Sequence, residues 1–227
     1  MTQDVQLTAA DGMVFPAYVA RPLGQPRGAI VVLQEIFGVN AHMRAVANLY
    51  AAHGYLVLAP STFHRVRADV NLGYTPDDIS AGVALKAAVE ALPAPGVQQD
   101  IAAAVTHAAQ AGKVGVLGYC WGGLLAWRAA CMQDGIHAAV PYYGGGMTTA
   151  AEVARQPRCP VLAHFGEQDH AIPLEGALAF QKAHADVQVE IYPAQHGFNC
   201  DHRGAFNPQA ALLALQHTLG FFERYLR

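Results

Sequence analysis

The feature that most restricts what this chain can fold into begins at residue 29. From there, short apolar runs with no polar alternation recur at 30–33, 55–59, 114–117, 138–142, 161–165 and 187–192. A strand with one wet face alternates apolar and polar residues, whereas one covered on both faces does not, so these runs read as parallel strands. Between them lie segments of helical period with legible ends. Asn40 caps a helix over 41–53 that Gly54 stops, and Thr75-Pro76-Asp77-Asp78 starts another over 79–92. Further helices suit 98–111, 121–132, 174–185 and 209–225. Strands alternating with helices imply an α/β chain with a mostly parallel sheet flanked by helices on both faces. Ahead of that pattern, 5–7 and 13–19 flank Asp11-Gly12, the signature of an antiparallel hairpin at the sheet edge. No repeat, low-complexity tract or linker divides the chain, so residues 1–227 are expected to form one domain.

Composition narrows the class of partner. Apolar residues make up 53% of the 227 and charged residues 14%, which excludes disorder and allows a large core. Fourteen Lys plus Arg against seventeen Asp plus Glu leave a net charge of −3 with no like-charge block, so neither nucleic acid nor a membrane surface is an expected partner. The longest stretch without a charged side chain, 204–222, contains Asn207, Gln209, Gln216 and His217 and reads as an ordinary helix. Cys120, Cys131, Cys159 and Cys200 are spaced as neither a zinc site nor a disulfide framework, and the polar start Thr2-Gln3-Asp4 leads into no signal core. The expectation is a cytoplasmic monomer acting on a small molecule, with no metal and no cofactor.

Chemistry in such a sheet belongs to the loops at the carboxyl ends of the strands. After 114–117 comes Gly118-Tyr119-Cys120-Trp121-Gly122-Gly123, a strand entering a helix through G-x-C-x-G. This is the nucleophile-elbow pattern with sulfur in place of a serine hydroxyl, and the helix that follows offers free N–H groups to a thiolate or an oxyanion. In that pattern the acid follows the nucleophile and the histidine comes last. Asp169 stands in Gly166-Glu167-Gln168-Asp169-His170 after the run 161–165, and His196 stands in His196-Gly197-Phe198 after 187–192. His170 adjoins Asp169 and is poorly placed to be oriented by it. His53, His64, His107 and His217 lie on or beside helices, and no H-E-x-x-H occurs. Cys131 and Cys159 read as core residues, whereas Cys200, four residues past His196, is left open between core and cleft. The loop Gln34-Glu35-Ile36-Phe37-Gly38-Val39-Asn40 after the first parallel strand brings Glu35 toward the thiol. It also offers the Ile36 N–H as a second oxyanion donor beside that of Trp121. Phe37, Phe198 and Tyr119 are the candidate apolar contacts for substrate.

On these four segments the chain resembles the dienelactone hydrolase, or carboxymethylenebutenolidase, family of the α/β-hydrolase superfamily, and the likeness runs over nearly its whole length. The resemblance implies a Cys120–Asp169–His196 triad, with Glu35 partnering the resting thiol. It also implies opening of a carboxylate-bearing enol lactone, as in the conversion of dienelactone to maleylacetate during chloroaromatic breakdown. Members of the family bind the substrate carboxylate with two arginines. Here the position four residues past His196 is Cys200, and 75–91 contains no Arg, leaving Arg203, Arg65 and Arg67 as substitutes. A thiol-dependent carboxylesterase of broad range and a non-catalytic binding or regulatory homologue are the alternatives.

Overall fold

The computed structural model describes residues 3–227. Eight strands form one sheet: β1 (Gln3–Thr8), β2 (Val14–Ala20), β3 (Ala29–Leu33), β4 (Leu56–Pro60), β5 (Val114–Tyr119), β6 (Ala138–Tyr142), β7 (Leu162–Gly166) and β8 (Gln188–Tyr192). Their spatial order is β1-β2-β4-β3-β5-β6-β7-β8. β1 and β2 pair antiparallel, β2 pairs antiparallel with β4, and every later pairing is parallel. Every residue of β3, β4, β5, β6 and β7 is buried, which is why those runs carry no polar alternation.

The helices are α1 (Ala41–Ala52), α2 (Pro76–Glu90), α3 (Gln98–Ala108), α4 (Trp121–Met132), α5 (Ala150–Val153), α6 (Leu174–Ala183) and α7 (Pro208–Leu226). The Asn40 side chain accepts from the Met43 N–H, and Thr75 and Asp78 form a reciprocal capping box, so both starts arise where the cap chemistry puts them. α5 is a single turn, too short to leave a period in the sequence. The segment 98–111 ends in a 3₁₀ turn over Ala109–Ala111. The first connection is a five-residue loop closed by the Gly12 N–H donating to the Ala9 carbonyl, with the positive φ of 86° at Gly12.

Two features position the site. β3 lies directly beside β5 with Leu33 opposite Gly118, so the loop carrying Glu35 emerges next to the elbow. α7 is seated on the sheet by a buried polar chain: Tyr142 Oη to Thr218 Oγ1 at 2.6 Å, His164 Nε2 to Thr218 Oγ1 at 3.0 Å, and His164 Nδ1 to Tyr192 Oη at 2.8 Å. Burial holds the His164 imidazole well below its ordinary pKa, so it serves this chain as a neutral ring.

Candidate active site

Cys120 sits between β5 and α4 with φ 54° and ψ −119°, a region that side chains with a Cβ rarely occupy. Its N–H donates to the Tyr142 carbonyl at 3.0 Å, and its carbonyl accepts from Gly123. Such a turn needs glycines around it. A Cβ on Gly118 would stand 2.0 Å from the Gly122 carbonyl oxygen, and one on Gly122 would stand 2.3 Å from that of Leu33. The strained turn pushes the sulfur out at the helix start, half-buried and free of any disulfide.

The β7 and β8 loops are laced together by Glu167 N–H to the Tyr192 carbonyl (2.8 Å) and Gln168 N–H to the Ala194 carbonyl (3.0 Å). That lacing brings Asp169 to His196, whose Nδ1 lies 2.8 Å from Asp169 Oδ2. The other carboxylate oxygen accepts from the Ala171 and Ile172 N–H groups at 2.7 and 3.1 Å, which fixes the acid. Burial opposes protonation of His196, but the charge of the Cys120 sulfur and the Asp169 carboxylate outweigh it and raise the imidazole to about 10. His170 is exposed and stays outside this cluster. Among the described residues, the N–H groups of Ile36 and Trp121 donate to no backbone carbonyl. The Trp121 ring stacks on Phe63 at 5.0 Å and donates to Glu90.

Glu35 is 1% exposed. Arg203 Nη1 lies 3.5 Å from its Oε1 and the Tyr74 hydroxyl 3.5 Å from its Oε2. The guanidinium lies across Gly197, where a Cβ would meet it at 2.6 Å, and 5.9 Å from the Phe37 ring centroid. Arg203 therefore faces Glu35, while Asp201 pairs with His42. Of the other arginines, Arg65 is bound to both Asp11 and Asp100, and Arg67 is exposed. Phe37, Phe198 and Tyr119 are at most 1% exposed. They form the floor under the site: Tyr119 packs on Tyr142 at 4.6 Å and Phe198 on Tyr143 at 5.1 Å. Two participants escaped the sequence analysis. Tyr143, buried at φ 35° just past β6, stacks edge-on to His196 at 5.2 Å and has no partner for its hydroxyl. Its position at a strand end was the available signal. Tyr74 reaches Glu35 from the segment before α2, and no local pattern announces that contact.

A family model described as the dienelactone hydrolase family matches residues 15–226. The chain belongs to that family. It is 30% identical to a "Putative carboxymethylenebutenolidase" of Synechocystis sp., with the full length of both chains aligned. A protein of the same name from Azospirillum brasilense is 33% identical over 98% of this chain and 99% of its own. Among solved structures, a "Putative Dienelactone Hydrolase" from Klebsiella pneumoniae superposes with a TM-score of 0.81 at 27% identity, covering 99% of this chain and all of that one. The esterase Pf2001 of Pyrococcus furiosus shares the fold at a TM-score of 0.69 and 16% identity. The architecture is thus an α/β-hydrolase fold, and the protein is a dienelactone hydrolase-like ester hydrolase. Among the described residues, no helix is long and apolar enough to cross a membrane.

Proposed function

We propose that this enzyme opens a small enol lactone bearing a free carboxylate, with Cys120 as nucleophile, His196 as proton carrier and Asp169 as the group that orients it. The observation that carries this reading is an imidazole that a fully buried carboxylate pins at 2.8 Å and that the sulfur of the strained, half-buried Cys120 helps to raise. The thiolate attacks the lactone carbonyl, and the Ile36 and Trp121 N–H groups receive the developing oxyanion. The ring C–O bond breaks, His196 protonates the departing enolate oxygen, and a thioester remains on Cys120. A water deprotonated by His196 then cleaves the thioester, releasing the dicarboxylate product and restoring the thiol. Asp169 holds Nδ1–H so that Nε2 faces the reacting groups. None of these steps calls for a cofactor. Four free thiols suit a reducing cytoplasm, and the self-contained triad suits a monomer.

The substrate carboxylate is assigned to Arg203, the guanidinium nearest Glu35, which it leaves for the incoming anion. A carboxylesterase reading is favoured by the same contact, because a guanidinium already neutralised by Glu35 offers less to an anion. The two part on Arg203→Ala. Carboxylate binding predicts a loss of roughly 1.5–3 kcal/mol in kcat/KM for an anionic lactone and almost none for a neutral ester of similar size. Equal losses on both substrates, or a wild-type preference for the neutral ester, would transfer the function to a general esterase.

A further inference from the structure

Glu35, His42 and Cys200 come from the loop after β3, the first turn of α1 and the loop after β8, and all three are buried. A carboxylate oxygen, a ring nitrogen and the sulfur lie within 4.8 Å of one another. The imidazole is already oriented: Asp201 Oδ1 is 3.0 Å from His42 Nδ1, while Nε2 is buried without any partner on a side chain only 4% exposed. A carboxylate holding one nitrogen so that the other presents a lone pair is the arrangement that accompanies metal-bound histidine. The mixed S, N and O donor set suits a borderline divalent cation rather than Mg²⁺ or Ca²⁺. The imidazole lies close to the surface, since His42 and Asp201 line a cleft of about 270 Å³ between α1 and α7. The exposed His202 ring stands 5.8 Å from that of His42 at its rim.

We propose that Glu35, His42 and Cys200 form a three-ligand site for Zn²⁺ or Co²⁺, with the fourth position open to water. The Cys200 S–H proton passes to solvent as the metal–sulfur bond forms, and Glu35 Oε1 exchanges the Arg203 guanidinium for the cation. The two negative ligands balance the dication, and the charges left nearby are those of Arg203 and of Asp201 behind His42. Metal binding therefore removes Glu35 from its contact with Arg203 and frees the guanidinium, so the occupied enzyme binds an anionic lactone more tightly. That consequence rests on the function proposed above, whereas the binding itself does not.

The test is Co²⁺ titration of the full chain, observed through the thiolate-to-cobalt charge-transfer band and the intense visible bands of a tetrahedral ion. The site predicts a band that saturates at one equivalent in the wild type and persists in Cys120→Ala. It disappears in Cys200→Ser. Affinity falls at least about a hundredfold in His42→Gln and about tenfold in Asp201→Asn, which loosens the hold on His42 Nδ1. With Zn²⁺, KM for an anionic lactone falls in the wild type and is unchanged in Cys200→Ser. A band surviving in Cys200→Ser, a band lost in Cys120→Ala, or no band in the wild type overturns the proposal; the second outcome puts the metal on the catalytic cysteine. Turnover measured in metal-free buffer keeps the two readings apart. A protein that binds Co²⁺ through Cys200 yet hydrolyses no ester or lactone retains this site and loses the proposed function.

Discussion

Asp169→Asn is the substitution that tests the triad most directly. The amide has the shape of the carboxylate, and its oxygen can still accept from the Ala171 and Ile172 N–H groups, so the loop keeps its anchors. The amide nitrogen, however, then faces His196 Nδ1, and two donors cannot share that contact. The imidazole must present an unprotonated Nδ1 and carry its proton on Nε2, which makes Nε2 useless as a base toward Cys120. Charge is lost as well. Raising His196 from 6.5 to about 10 amounts to about 5 kcal/mol in favour of the imidazolium, a net gain that the Cys120 sulfur and the Asp169 carboxylate supply together against the opposing effect of burial. Together the tautomer and the charge predict a loss of about 10³–10⁴ in kcat/KM, as the same change produces in a serine triad. The linkage has a definite sign: a histidine whose folded pKa is raised contributes stability that is complete below about 6.5 and fades as pH climbs toward about 10. Asp169→Asn should therefore flatten the wild-type fall in thermal stability between those two values. The assays are kcat/KM on a chromogenic ester across pH and melting temperature over the same range. A folded variant within about tenfold of wild-type kcat/KM would refute the role of Asp169.

Cys120→Ala should lose essentially all turnover, and the thioester adduct that intact-mass measurement detects on the wild type with a slow ester should be absent; retention of more than about a tenth of kcat/KM removes Cys120 as nucleophile. Glu35→Gln frees Arg203 and withdraws a negative charge from the elbow, so iodoacetamide should alkylate Cys120 faster than in the wild type, and equal rates would place Glu35 outside the reaction. Gly118→Ala drives a Cβ to 2.0 Å from the Gly122 carbonyl oxygen, a contact with backbone that cannot swing aside. Its expected cost is at least about 3 kcal/mol, or roughly 6–12 °C in melting temperature, and an unshifted melt would mean the elbow is looser than described.

The elbow, the order of the loops that carry Cys120, Asp169 and His196, and most helix starts were legible because each is written in a few adjacent residues. Gly118, Gly122 and Gly123 imply a close strand–helix approach wherever the chain goes next, and Thr75 with Asp78 caps α2 with no help from the rest of the molecule. The unbroken apolar runs announced strands covered on both faces, since burial on two sides leaves no position for a polar residue. Phe37, Phe198 and Tyr119 are buried, and a contact with substrate does not follow from their positions, because an aromatic ring at a strand end serves equally well as floor or as wall.

Pairings between distant segments were decided by the folded chain alone. Arg203 could have met Asp201 two residues away; instead it lies over Gly197 toward Glu35, 168 residues distant, because Asp201 turns to His42. Arg65 was available to a substrate until Asp11 and Asp100 closed on it from a loop and a helix. No spacing rule finds Glu35, His42 and Cys200 together, since the three are gathered by the adjacency of β3 and β5 and the return of the chain after β8. Sequence by itself determined period, caps and turns, which depend on neighbours within a few residues. The charge partners of the site depended on which loops the sheet order sets side by side, and packing over the whole molecule is what selects that order.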